Sequence, residues 1–190
     1  MAGHRRDVPA IRALTGDEDG GVRATVLGAL LRAEALTADD LIAGIADPEP
    51  VVRIRAAELV AELEGGGVAT DVPLLGLFDD PEPTVVETAA WASGERQPAE
   101  AGVVARLADL ATSAEDALIR ESAVAALGSR GDPAGLPAIL AGTRDKATVR
   151  RRAVLALAPF DGPEVDEAYE RALVDRDWQV RQAAEDLTEV

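Results

Sequence analysis

The sequence has no cysteine, a single histidine at position 4, one lysine, five aromatic residues and no long uninterrupted apolar run. Without cysteine there is no disulfide, no thiolate nucleophile and no Cys-ligated zinc or iron–sulfur centre, and one histidine cannot build a multi-His metal site. The most apolar stretch, residues 22–36, carries Arg23, Arg32 and Glu34, so nothing approaches the roughly 18 to 20 apolar residues that span a bilayer. The first fifteen residues are interrupted by His4, Arg5, Arg6, Asp7 and Arg12, which leaves no signal-peptide core and predicts a soluble, cytoplasmic protein. Basic residues are scarce too: 19 Lys and Arg against 35 Asp and Glu give a net charge of −16. That sign opposes phosphate neutralisation and hence nucleic-acid binding.

What is abundant is alanine, 38 of 190 residues, within a 47% hydrophobic composition too apolar for a disordered acidic chain. The size suits one domain or one short repeat array. A pattern of apolar, Arg, then small or apolar positions four, seven and eight residues after the first recurs along the chain. Val22-Arg23 leads to Val26 and Ala29-Leu30, and Val52-Arg53 to Ala56 and Leu59-Val60. Ile119-Arg120 leads to Ala123 and Ala126-Leu127, Val149-Arg150 to Ala153 and Ala156-Leu157, and Val180-Arg181 to Ala184 and Leu187. A degenerate copy, Val85 to Ala89, has Val86 where Arg recurs and follows the run Gly65-Gly66-Gly67, which lengthens the second unit. The leading residues are 30, 33, 34, 30 and 31 positions apart. Such spacing within a copy puts the apolar positions on one face of a helix.

Acidic residues and prolines precede most copies, as in Asp47-Pro48-Glu49-Pro50 and Asp80-Pro81-Glu82-Pro83, with Asp145 and Asp175 alone elsewhere; these are expected to cap the helices. A second apolar cluster at helical spacing stands before each, for example Leu41, Ile42 and Ile45, or Leu74, Leu75, Leu77 and Phe78. Six helix pairs are therefore predicted, at about 7–33, 37–64, 69–95, 99–129, 132–159 and 161–189, within one domain spanning 1–190. A pair this short cannot bury its apolar stripe alone and must stack on its neighbours.

The signature running from Asp47 to Val60, D-P-x-x-x-V-R-x-x-A-x-x-A-L in general form, resembles the HEAT repeat, and the short period is most similar to the compact HEAT-like repeats associated with phycobilisome lyases. The resemblance covers residues 7 to 189 and implies an all-α, right-handed α-solenoid with helices of roughly 10 to 14 residues. It also implies a stacked polar ladder, whose acidic members would be Asp47, Asp80, Asp145 and Asp175 and whose basic members would be Arg23, Arg53, Arg120, Arg150 and Arg181. Val86 interrupts it in the third unit.

No catalytic constellation is visible. The cluster Asp17-Glu18-Asp19-Gly20-Gly21 lacks calcium-loop spacing and is expected to be a solvated turn. Adjacent carboxylates such as Asp39-Asp40, Asp79-Asp80 and Glu115-Asp116 are explained by helix starts. Charge is polarised along the chain: residues 57–95 hold nine acidic and no basic residues, while residues 130–152 hold six basic against two acidic. In the family resembled, second helices line the concave surface. The sixth position after each leading residue there reads Gly28, Glu58, Trp91, Ala125, Leu155 and Asp186, an apolar stripe in the middle edged by Glu87, Glu121 and Arg151. Either Trp91 anchors a partner on that face or it fills space in the degenerate unit; Trp178 is expected to pack on Tyr169. These residues point to a non-catalytic, cofactor-free adaptor, monomeric or weakly self-associating, that binds a protein or peptide through Glu58, Glu87, Trp91, Glu121, Arg151 and Leu155. The alternative is a bilin-lyase-like enzyme or subunit holding an acidic tetrapyrrole near Arg150, Arg151 and Arg152; nucleic-acid binding at the same patch ranks last.

Overall fold

The computed structural model describes residues 7–63, 71–97 and 99–188, and among them there are eleven α-helices, two 3₁₀ segments and no strand. His4 and the Gly65-Gly66-Gly67 run lie outside the described residues. Successive elements pair off. Helix α1 (Val8–Arg12) precedes α2 (Gly20–Arg32), α3 (Ala38–Ile45) precedes α4 (Pro50–Glu62), and a 3₁₀ segment (Leu75–Asp79) precedes α5 (Pro83–Glu95). Then α6 (Val103–Ser113) precedes α7 (Ala117–Arg130), a 3₁₀ turn (Pro133–Gly135) and α8 (Leu136–Gly142) precede α9 (Ala147–Ala156), and α10 (Pro163–Leu173) precedes α11 (Trp178–Thr188). Second helices stack on one another in the order α2, α4, α5, α7, α9, α11, while α6, α8 and α10 form part of the opposite layer. The architecture is an α-solenoid.

The second helices have the expected lengths, 10 to 14 residues, but several first elements fall short of them: α1 has five residues and α8 seven, and among its described residues the third unit has a five-residue 3₁₀ segment in place of a first helix. Proline sets that last limit, since Pro73 precedes the segment and Pro81 keeps Asp80 extended, at φ −65° and ψ 138°. The aspartates do not cap as expected either. Glu49 and Glu82 occupy the N-cap positions of α4 and α5 without a side-chain bond, and Pro50 and Pro83 begin the helices. Asp47 and Asp80 sit two residues earlier, where each accepts the backbone N–H of Glu49 or Glu82 at 2.8 and 2.9 Å and so closes the turn.

Most of the recurring apolar positions are buried in the core, while Val22, Ala29, Ile119 and Leu187 are half-buried at its edge. Val52, Ala56, Leu59 and Val60 are all buried, as are Ala123, Ala126 and Leu127, and one cluster runs from Ala24 to Ala168. Small residues let the second helices touch backbone to backbone: a Cβ placed on Gly128 would lie 2.7 Å from the Cα of Ala156, and one on Gly94 would lie 2.8 Å from the Cα of Ala126.

A polar spine borders this core on the turn edge. Each of Arg23, Arg53, Arg120 and Arg150 grips the carboxylate of the following unit, Asp47, Asp80, Asp145 and Asp175 respectively, through Nε and Nη2 at 2.6–2.9 Å. The remaining Nη1 turns back and donates to a carbonyl of its own unit's turn, Asp17, Asp47, Ala114 or Asp145, at 2.7–2.8 Å. Arg181 makes only the second kind of bond, to the Asp175 carbonyl at 2.6 Å, because no described unit follows it. Three rungs are mostly withdrawn from water, with 8–12% of the Arg and 7–20% of the Asp side-chain surface exposed.

At the predicted interruption, both partners of the rung are missing. Val86 replaces the Arg of the third unit and is buried, and the fourth unit's turn carries Ala114 six residues before Arg120, where Asp47 stands before Arg53. At this junction no carboxylate is therefore left without its guanidinium. The junction is pinned at the other end of the helices instead: Arg130 donates to the carbonyls of Ser93 and Arg96, both at 2.9 Å, and Arg96 reaches the Val72 carbonyl.

The guanidinium forks hold Asp47, Asp145 and Asp175 below the ordinary carboxylate range, and Arg53 does the same for Asp80 although burial pushes that group upward. With the folded values depressed, the unfolded chain binds protons first. The rungs are fully stabilising above about pH 4 and lose that contribution as pH falls through the depressed values. Asp145→Asn is accordingly expected to destabilise the protein at pH 7, by an amount that shrinks steadily as pH falls below about 4, as followed by urea denaturation. A stability gap that stayed constant across that range would refute this assignment.

Candidate functional site

The outward face of the second-helix layer is built by the residues that the packing period leaves over. In α4 these are Val51, Ile54, Arg55, Glu58 and Glu62, and in α5 they are Thr84, Glu87, Thr88 and Trp91. They meet in a groove of about 700 Å³ lined by Ile54, Glu58, Glu62, Thr84, Glu87, Thr88, Trp91 and, from α7, Ser122. Trp91 is 43% exposed there and does not fill the core. Glu58 and Glu62 both accept from Arg55, at 2.9 and 3.0 Å, whereas Glu87 has no ion pair among the described residues. The groove thus offers an indole flank and an excess of carboxylate.

Further along the same layer the chemistry changes. Ala125 and Leu155 share a smaller groove of about 470 Å³ with Gly128, Ser129 and Arg152. Beyond it, Arg151 and Leu155 line a pocket of about 250 Å³ with Trp178, Gln179, Gln182 and Asp186. Trp178 is 64% exposed and forms a wall of this pocket. The reason is its place at the first position of α11, ahead of the apolar stripe that starts at Val180.

The six predicted partner-binding residues are therefore divided between places. Glu58, Glu87 and Trp91 share the large groove, Arg151 and Leu155 share the small one, and Glu121 lies between them, 3.6 Å from the Nε of Arg152. Ile54, Glu62, Thr84, Thr88 and Ser122 were not singled out, although the helical period already placed Thr84 and Thr88 on the face of Trp91, seven and three residues before it. The arginines named for a tetrapyrrole part company: Arg150 is taken up by Asp175, and Arg151 and Arg152 line different grooves. In the acidic cluster, Asp17 to Asp19 form the turn before α2 and Gly20-Gly21 open the helix; the Asp17 and Glu18 carbonyls accept from Arg23, and the Asp19 carboxylate caps α2. Among the described residues no group of His, Cys, Asp and Glu could hold a metal ion, and no helix is long and apolar enough to cross a membrane.

The family model for HEAT repeats matches this chain over residues 38–128, 70–158 and 104–187. No curated protein sequence matches it. Among solved structures, a designed armadillo repeat protein in complex with the peptide (KR)4 is similar over 96% of this chain and 98% of its own, at 17% identity and a TM-score of 0.71. An engineered protein solved by a structural genomics consortium covers 96% and 95% at 18% identity and a TM-score of 0.69. A computationally designed armadillo repeat protein for modular peptide recognition covers 96% and 99% at 18% identity and a TM-score of 0.66. At these identities the likeness is one of fold.

Proposed function

The chain belongs to the HEAT repeat family, and on that premise we propose that it is a non-catalytic scaffold that binds an extended protein or peptide segment along its layer of second helices. The carrying observation is the groove between α4 and α5, where a half-exposed Trp91 stands beside Glu58, Glu62 and Glu87. Exposed aromatics in a groove rimmed by charge are where binding energy concentrates in protein interfaces. A lysine or arginine of the partner, laid over the indole face, would gain the attraction of its ring and of the carboxylates together. That a designed armadillo repeat protein of this fold holds the peptide (KR)4 supports a basic segment as the occupant.

The test is affinity capture from the native host's lysate with wild type and Trp91→Ala in parallel, quantified by mass spectrometry. A specific partner depleted at least about tenfold from the Trp91→Ala sample is expected, the loss typical of an aromatic anchor. Equal recovery by both proteins would move the binding surface away from this groove.

A further inference from the structure

Two charges on the second-helix layer occupy the same position in their units. Glu87 stands two residues after Val85 in α5, and Arg151 two residues after Val149 in α9. Neither makes an ion pair among the described residues. The helix between them, α7, is nearly neutral on this face: it presents Leu118, Ser122, Ala125 and Ser129, and its one carboxylate, Glu121, lies against Arg152. Each charge has an exposed indole close by, Trp91 in the groove of Glu87 and Trp178 in the pocket of Arg151. The layer therefore carries an anionic subsite at Glu87 and a second subsite headed by the Arg151 guanidinium, where the one carboxylate, Asp186, accepts from Gln182 Nε2 at 2.7 Å; each has an aromatic wall, and one nearly neutral helix separates them.

Resting on the reading above, we propose that this layer selects an extended segment carrying charges of both signs, with a basic side chain over Trp91 and Glu87 and an acidic side chain at Arg151 and Trp178. Packed helices lie about 8–10 Å apart, so the two subsites, two helices apart, are roughly 16–20 Å from one another. An extended chain rises about 3.3 Å per residue, which sets the basic and acidic side chains about five or six residues apart. Complementary charge at both ends fixes register along the face, and a like charge at either end is repelled. A purely basic peptide meets Arg151, and a purely acidic one meets Glu58, Glu62 and Glu87.

Fluorescence anisotropy with labelled synthetic peptides tests this on the full chain. One peptide carries a Lys-Arg pair and an Asp-Glu pair about five residues apart in a neutral, extended background; a second replaces the acidic pair by glutamines; a third varies the spacing. The wild-type protein is expected to bind the first about five- to tenfold more tightly than the second, with the advantage fading at high salt and at the wrong spacing. Arg151→Glu should reverse the preference, and a retained thermal midpoint separates that result from misfolding. Equal affinity for the first two peptides would overturn the two-sign specificity while leaving Trp91-dependent capture to judge the scaffold itself. A concentration-dependent dimer abolished by Arg151→Glu would overturn it in favour of a second copy of this chain as the occupant, and failure of every peptide to bind would overturn it outright.

Discussion

Arg120→Met is expected to lower the free energy of unfolding by about 3–5 kcal/mol, the usual cost of stripping the partner from a largely buried charge. The loss falls on Asp145, whose carboxylate is 20% exposed and accepts both Nε and Nη2 of Arg120, at 2.6 and 2.8 Å. It extends to the Ala114 and Glu115 carbonyls, which lose their Nη1 donor. Chemical denaturation of the two proteins at neutral pH measures it. The protein itself supplies the informative comparison: where Val86 and Ala114 stand, both members of a rung are absent and the neighbouring helices still pack closely. The pair Arg120→Val and Asp145→Ala should therefore cost less than Arg120→Met alone, because removing both charges leaves neither one stranded. A double variant less stable than the single one would refute that account.

The second large effect is expected at Gly128→Val. An added Cβ there would lie 2.6 Å from the Cβ, 2.7 Å from the Cα and 3.0 Å from the carbonyl oxygen of Ala156. Two of those three atoms are backbone of α9, so relief requires the helices α7 and α9 to part. Overpacking of this kind costs about 3 kcal/mol, or roughly 6–12 °C of melting temperature in a chain of this size. Gly76→Ala is the matched control, since nothing lies within 4 Å of a Cβ placed there. Thermal melts that left the Gly128→Val midpoint within a degree of wild type would show that the second helices are not in backbone contact.

Much of this arrangement was legible in the residues. A period of about 30 with Val, Arg, Ala and Leu at fixed offsets identified the buried face of every second helix, and Val52, Ala56, Leu59 and Val60 are buried as that pattern requires. The four Asp–Arg pairs followed from the family resemblance. What escaped was information held between units. Ala114 is flanked by Glu115 and Asp116, so its turn looks acidic, and only the knowledge that Arg pairs forward into the next unit shows that Val86 and Ala114 belong to one missing rung. Likewise Asp47 reads as a helix cap until the structure shows Glu49 in that place. On the candidate face, Trp91 could be placed by its offset, but its exposure depended on how α4, α5 and α7 splay around it. The 64% exposure of Trp178 was not legible, because a residue at a helix start obeys the turn before it more than the stripe behind it.

The paired absence of Val86 and Ala114 also writes an order into the chain. Any unit whose second helix carries the pairing Arg can precede any unit whose turn holds the matching Asp, so those units are interchangeable at their edges. The third unit is not: set before the second, fifth or sixth, it would bury Val86 against Asp47, Asp145 or Asp175 and leave a carboxylate with no counterion. Nor can the fourth follow any unit other than the third without stranding an arginine at Ala114. In a molecule whose core is nearly the same from unit to unit, that one silent junction acts as a key and lock for sequence order, penalising shuffled or slipped stacks while leaving the correct one untouched.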